Sequence, residues 1–583
     1  MKKIFISILL TVSAVSMFAQ TNNIENQLIQ ECEELIVKKM EQDRIVGVSA
    51  AIVLNDSIIW KKGFGYADKE AQIPMTEKTV VNIGSVTKTF TALAIMQLHE
   101  KGLINITQPL NKYLAQFHPK TRYESLDDVT IKSLITHTSG IQPDIWKNSD
   151  LASGKYTDVI DFINETYLLY PAAKIGIYSN SAYNILGHLV KEVSGLDYPD
   201  YVHKNILQPL EMANSGFFWD SLENRTKIYD GNTEHKDFPL RDIASGGIYA
   251  DIVNFAKYAK GLIDAYNGNS SVIKKKTANE MFSIQNQDVV IETSNNKKGL
   301  GWFLFENDSS IAILHSGSAG YAHAELIVFP KQKAAFVILN NTSSGGKLNE
   351  DYCINMLNHF ELSIPDLYPK TIVAEIHPIE SLVSPEKEIL NKHVGFYAEN
   401  FSYSKVSLVN DTLRLIRNGT QIKLHWVSKN EFIPVRANDK NNLQFSENER
   451  YIFKVIENYH ILIHKQENKE TVLGYKFHGV NSSQWIQKIG IYDHFGYQLI
   501  AGDTKLKGAN IQLNNDKILI LELMTFENTI SIPLDVISEK YAITAGVTSG
   551  FGYTVKFTED ENYHYIDFAG ITFRKEKLNI NNS

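Results

Sequence analysis

Gly84-Ser85-Val86-Thr87-Lys88-Thr89-Phe90 opens an apolar-periodic helix with a serine and a lysine three residues apart. At that spacing the two side chains lie one above the other on the same face. Ser85 falls in the first turn, where backbone N–H groups are free and the positive end of the helix dipole favours an oxyanion. Phe90, Leu93, Ala94, Met96 and Leu98 form an apolar stripe that draws Lys88 into the protein. Burial disfavours an ammonium and turns a lysine into a usable base near neutral pH. Serine, lysine and helix N-terminus are together the parts of an acyl-transfer site. Ser-x-x-Lys recurs at Ser271/Lys274, Ser294/Lys297, Ser344/Lys347, Ser384/Lys387 and Ser402/Lys405, so residues elsewhere in the chain must decide between the pairs.

At 583 residues the chain calls for more than one domain, because single cores stop growing near about 250–300 residues. A hydrophobic content of 43% is that of a globular protein, and 28 Tyr with 28 Phe suit extensive β-structure. A net charge of −8 gives no reason to expect nucleic acid or an anionic membrane surface as a partner. The seventeen histidines form no His-Glu-x-x-His or Cys/His cluster, so neither a metal nor another cofactor is expected.

Lys2 and Lys3 precede the apolar run Ile4 to Val15 and then Ser16-Met17-Phe18-Ala19-Gln20. This reads as a secretory signal peptide over residues 1–19, too short and wrongly flanked for a spanning helix. No later apolar run of about 18 residues follows, so the expected protein is exported, periplasmic or secreted, with no integral membrane segment after signal cleavage. Cys32 and Cys353 are the two cysteines. They are read either as two buried unpaired thiols or, since export permits it, as a disulfide closing a very long loop.

In chain order, Val46 to Leu54, an Asn55-Asp56 turn and Ser57 to Tyr66 give a β-hairpin signal. The Ser85 helix ends near Gly102. A mostly helical stretch runs to Pro239, and strands resume at Leu300, ending with a helix that holds Cys353. The reading is an α+β domain over residues 20–362, its sheet assembled from both ends of the segment. Prolines at 365, 369, 378 and 385 mark a linker, 363–390. Period-two alternation then gives an all-β region, read as two barrel- or sandwich-like modules at 391–482 and 483–583, or as one continuous β domain. These modules are read as a lid, a binding attachment or an oligomerisation element. Trp426 and Trp485 are read as packing residues rather than ligand contacts.

Two further stretches carry chemistry. Tyr178-Ser179-Asn180 interrupts the apolar pattern just before a helix. Tyr178 is a candidate proton relay if Lys88 stabilises its phenolate, and Asn180 offers a donor and an acceptor to a substrate amide. The same stretch also reads as a helix N-cap with Tyr178 in packing. His315-Ser316-Gly317-Ser318 ends an apolar strand, where Gly317 lets a substrate approach the backbone; it reads alternatively as a strand-end turn.

Ser-x-x-Lys, Tyr-x-Asn and His-Ser-Gly, in this order and at wide spacing, resemble the serine β-lactamase and penicillin-binding protein superfamily. The resemblance is strongest to its class C β-lactamase-like, esterase and D-peptidase branch. Leu134 to Gly140, Tyr183 to Gly187, Ser245 to Tyr249 and Gly299 to Trp302 are similar to that branch as well, and the likeness covers residues 25–360. It implies a β-lactamase/transpeptidase-like fold and a two-step acyl transfer. Ser85 would be the nucleophile, with Lys88 and Tyr178 handling protons. Asn180, His315, Gly317 and Ser318 would bind substrate, and the backbone N–H groups of Ser85 and Ser318 would hold the oxyanion. The third motif begins with His315, where dedicated β-lactamases and D,D-peptidases usually carry lysine. A histidine with an ordinary pKa near ~6.5 is mostly neutral at pH 7, which suits an esterase or aminopeptidase better than recognition of a β-lactam carboxylate. The expected function is an exported serine hydrolase cleaving an ester or amide in a small-molecule or peptide substrate. β-Lactamase activity and a non-catalytic peptidoglycan-binding sensor are the alternatives.

Overall fold

The computed structural model describes residues 25–577 apart from 148–153, 238, 288, 292–296, 361–375, 379–384, 400–401, 429, 438–442, 447, 457–458, 468, 478–481, 496–505 and 547–551. The signal-peptide reading at 1–19 and most of the linker reading at 363–390 lie outside the described residues.

The two ends of the first domain meet in one eight-stranded sheet. Gly47–Leu54 pairs with Ser57–Asp68 on one side and with Ala334–Asn340 on the other, in the register Val48↔Asn340 to Leu54↔Ala334. The sheet continues through Ala322–Phe329 and Ile311–Ala319 to Phe303–Glu306. Alternating residues of these strands serve two cores, as period-two geometry requires. Ile313, Leu326, Val328, Val337 and Leu339 face the helical insert. Ala312, Leu314, Ile327, Phe336 and Ile338 face the helix at 25–43 and the helix Gly345–His359. Cys32 and Cys353 lie in this second core as free buried thiols, so the disulfide alternative is not formed.

The helix Thr87–Glu100 runs through the first core. Its residues from Thr87 to Leu98 are all buried, so it is covered on every side rather than along one stripe. The difference comes from the insert: the helices Asn180–Ser194 and Ile252–Asn267 close over it, and Phe90 stacks on Tyr258 with centroids 3.8 Å apart. The helix stops at Lys101, followed by Gly102 at φ +72°.

Past the first domain the strands form two separate barrels, not sandwiches and not one β domain. The nine strands from Gly395–Glu399 to Lys469–Phe477, joined by Ile376–Pro378 pairing with Leu443–Ser446, form a ten-stranded sheet, eight strands of which close into a barrel by pairing of Glu431 with Ile452 and Phe432 with Tyr451. Gly490–Phe495 to Ile571–Glu576 make a closed eight-stranded barrel. Trp485 is fully buried in the second barrel, its indole N–H donating to the Ser538 carbonyl at 2.8 Å, and Trp426 packs on the core of the first. Leu169, Tyr170 and Ile177 of the first domain share one apolar cluster with Ile461 and Tyr475 of the first barrel and Ile518 and Ile543 of the second. Among the described residues no helix is long and apolar enough to cross a membrane.

Candidate active site

Ser85 sits in a single 3-10 turn, Gly84–Val86, that leads directly into the helix Thr87–Glu100. Lys88, one turn on, is wholly buried. Its ammonium nitrogen lies 3.0 Å from Ser85 Oγ and donates to the Ser245 carbonyl at 2.8 Å. Burial draws the Lys88 pKa down to about 7, against a smaller opposing pull from the Asp144 and Asp242 carboxylates. The lysine therefore reaches the serine partly as free amine at neutral pH.

Tyr178 stands on the other side of the serine, its phenol within hydrogen-bonding reach of Ser85 and its ring centroid 4.8 Å from Lys88 Nζ. Burial raises its pKa. The phenolate expected from the nearby lysine is thus not favoured: the lysine gives up its charge before the tyrosine takes one on. The N-cap reading holds for Ser179. Ser179 caps the helix Asn180–Ser194, accepting from the Ala182 N–H at 3.0 Å, while Tyr178 turns to the serine.

The strand Ile311–Ala319 supplies the third wall. Its partner Phe303–Glu306 pairs only with residues 311–314, which leaves 315–319 without a strand on that side among the described residues. A Cβ on Gly317 would stand 2.0 Å from the Ile83 carbonyl oxygen and 3.2 Å from the Ser85 nitrogen. One on Gly84, at φ +50°, would stand 2.5 Å from the Ser318 nitrogen. Two glycines thus let the strand lie directly on the Ser85 turn. His315 is buried, with Nδ1 2.7 Å from the Ser316 carbonyl oxygen. Burial, then the neighbouring Lys88 charge, push its pKa to about 3, so it brings no charge to the site.

Ser85, Lys88, Tyr178, His315, Gly317 and Ser318 are therefore brought together. Asn180 donates one of its two amide N–H groups to Asp144 Oδ1 at 2.7 Å. Three further residues complete the arrangement. His137, at φ +60°, stacks on the Tyr178 ring at 4.3 Å, and its Nδ1 accepts from the Ser179 N–H at 3.0 Å. Asp144 bridges Asn180 to Tyr553 of the second barrel, and the Ser245 carbonyl anchors Lys88. His137 and Ser245 lie in stretches whose likeness to the superfamily is visible in the sequence. Asp144 carries no such signal.

A family model described as Beta-lactamase matches residues 32–352. The chain belongs to the Beta-lactamase family. Like other members of this family it has the β-lactamase fold, and the family consists in general of serine hydrolases. Protein flp of Staphylococcus aureus (strain NCTC 8325 / PS 47) is 26% identical over 349 residues, spanning 58% of this chain and 67% of its own. Beta-lactamase-like protein 2 of Dictyostelium discoideum is 28% identical over 268 residues, 44% of this chain and 48% of that protein. The crystal structure of SurE superposes with a TM-score of 0.56 at 18% identity, covering 76% of this chain and 98% of SurE, which is a likeness of fold.

Proposed function

We propose that this Beta-lactamase family member is an exported serine hydrolase that cleaves an ester or amide through an acyl-enzyme on Ser85. The observation that carries the reading is Lys88 Nζ at 3.0 Å from Ser85 Oγ, in surroundings that bring the lysine pKa to about 7. The free amine accepts the serine proton as Oγ attacks the carbonyl carbon. The backbone N–H groups of Ser85 and Ser318 receive the charge that develops on the carbonyl oxygen. Tyr178, kept protonated by burial and touching Ser85, passes a proton from the Lys88 ammonium to the departing alkoxide or amine. Water then attacks the ester, with Lys88 again as base.

Carboxylic esters and D-amino-acid or cell-wall-type amides are the substrate classes that fit. A neutral His315 offers no cation to a β-lactam carboxylate, which places β-lactamase activity behind both. The test combines p-nitrophenyl esters, D-aminoacyl p-nitroanilides and nitrocefin with a fluorophosphonate probe, on wild type and Ser85→Ala. Turnover and labelling that vanish together in the variant are expected. Folded wild-type protein that takes no Ser85-dependent label would leave only the binding-protein alternative.

A further inference from the structure

The cleft does not end at the edge strand. From Ser85 and Tyr178 it continues over residues 315–318 to a cavity on the opposite face of the sheet, walled by Phe303, Phe305, Leu314 and Ile354, the whole cleft enclosing about 500 Å³. The passage exists because the strand Phe303–Glu306 stops pairing at Leu314, so no strand pairs along that edge beyond it among the described residues. Strand alternation then sets the two sides apart. His315 and Gly317 turn towards Ser85, while Leu314 and Ser316 turn into the cavity, with Glu325 directly across from Ser316.

Two polar groups in these apolar walls are unusual. Glu325 is 4% exposed and accepts from the Ser316 hydroxyl at 2.9 Å. Asn349 is 2% exposed; its Oδ1 is taken by Asn340 Nδ2 at 2.9 Å, and its own Nδ2 has no hydrogen-bond partner among the described residues. A buried amide N–H rarely stays without an acceptor. Among the described residues the lining contains no lysine or arginine to balance an anion.

We propose that this cavity is a specificity pocket for an apolar arm of the substrate, and that Asn349 and Glu325 select an uncharged arm ending in a hydrogen-bond acceptor, such as an amide carbonyl, over one ending in a carboxylate. The inference rests on the Ser85 hydrolase reading. Asn349 Nδ2 supplies one donor. Glu325 supplies another while protonated, and burial holds its pKa at about 8, with Glu350 adding to the rise. The groups facing Glu325 are Ser316 from the neighbouring strand, His323 on its own strand, and Glu350 and Cys353 from the helix Gly345–His359; Ile338 on the remaining strand is apolar. Burial lowers the His323 pKa and raises that of Cys353, so neither brings a charge near pH 8. As pH rises past 8 the Glu325 donor is lost and an anion replaces it.

The test is a set of matched esters with a four-carbon arm, on the acyl or the alcohol side, ending in methyl, primary amide or carboxylate, followed by proton release. On one side the amide arm is expected to exceed the methyl arm by roughly tenfold in kcat/KM, through KM, with the carboxylate arm poorest. The amide-to-methyl ratio is expected to fall as pH passes 8, to stay level from pH 6.5 to 9 in Glu325→Gln, and to approach one in Asn349→Leu. Should Asn349→Leu not fold, the pH profile of Glu325→Gln decides. Equal kcat/KM for all arms on both sides, in an enzyme that labels at Ser85, would overturn the pocket and leave the hydrolase reading standing. No turnover and no Ser85-dependent label would overturn both.

Discussion

Tyr553, on the second barrel, donates its hydroxyl to Oδ2 of Asp144 at 3.1 Å, and the other oxygen of that carboxylate holds Asn180. A residue more than 400 positions downstream in sequence thereby shares a carboxylate with the Tyr-x-Asn stretch of the cleft. Asp144 also bears on Lys88, whose charged form it favours. The barrel is thus joined electrostatically to Lys88 beside Ser85.

Tyr553→Phe removes one of the two side-chain donors to a buried carboxylate. A loss of about 1 kcal/mol is the usual scale for such a bond, so kcat/KM on a p-nitrophenyl ester should drop by about threefold to tenfold. The melting temperature, measured alongside, should move little. An unchanged kcat/KM would mean that Asp144 needs only Asn180.

The pH dependence follows from Lys88. Its pKa lies below the usual lysine range, at about 7, so the ammonium form prevails below that pH and cannot accept the serine proton. The expected kcat/KM profile rises with pH through a midpoint near 7. Lys88→Arg should abolish that limb and lower the rate by at least about 100-fold, the usual scale for a lost general base. A profile flat from pH 5.5 to 8.5 would place the base elsewhere.

Gly317→Ala sets a methyl group 2.0 Å from the Ile83 carbonyl oxygen, which forces the strand away from the Ser85 turn. Separation of the two backbone donors should slow fluorophosphonate acylation by roughly 10²–10³-fold, as for loss of an oxyanion donor. Wild-type labelling rates in this variant would remove Gly317 and Ser318 from the oxyanion site.

Deletion of the barrels tests whether they are attachments. Leu169, Tyr170 and Ile177 pack into an apolar cluster with both barrels, and the Trp146 N–H donates to the Ala569 carbonyl at 2.7 Å. Exposing a large buried side chain costs about 1.5–3 kcal/mol, and several together approach the whole stability of a domain, about 5–15 kcal/mol. A chain ending at residue 360 should therefore be insoluble or melt well below the full protein. A soluble fragment that labels at the wild-type rate would make the barrels dispensable to the fold.

Much of this protein is legible in its sequence, because local patterns carry it. The spacing of Ser85 and Lys88, the hairpin from Val46 to Tyr66 and the glycine between Ser316 and Ser318 are each set by neighbours along the chain. With Tyr178 between them, their order points to the family and to Ser85 as the proposed nucleophile. The tertiary structure alone decided which Ser-x-x-Lys pair is buried. Lys347 is half exposed and paired with Glu350, and Lys405 is paired with Asp516, whereas the insert closes over Lys88 and removes its water. It also decided the charge states, since the Lys88, Tyr178 and His315 pKa values are moved chiefly by burial among segments remote in sequence. Asp144, Tyr553, Glu325 and Asn349 carry no mark along the chain; each acquires its surroundings only where strands and helices from distant stretches meet. Desolvation and hydrogen-bond partnership belong to the packed molecule, and no local spacing encodes them.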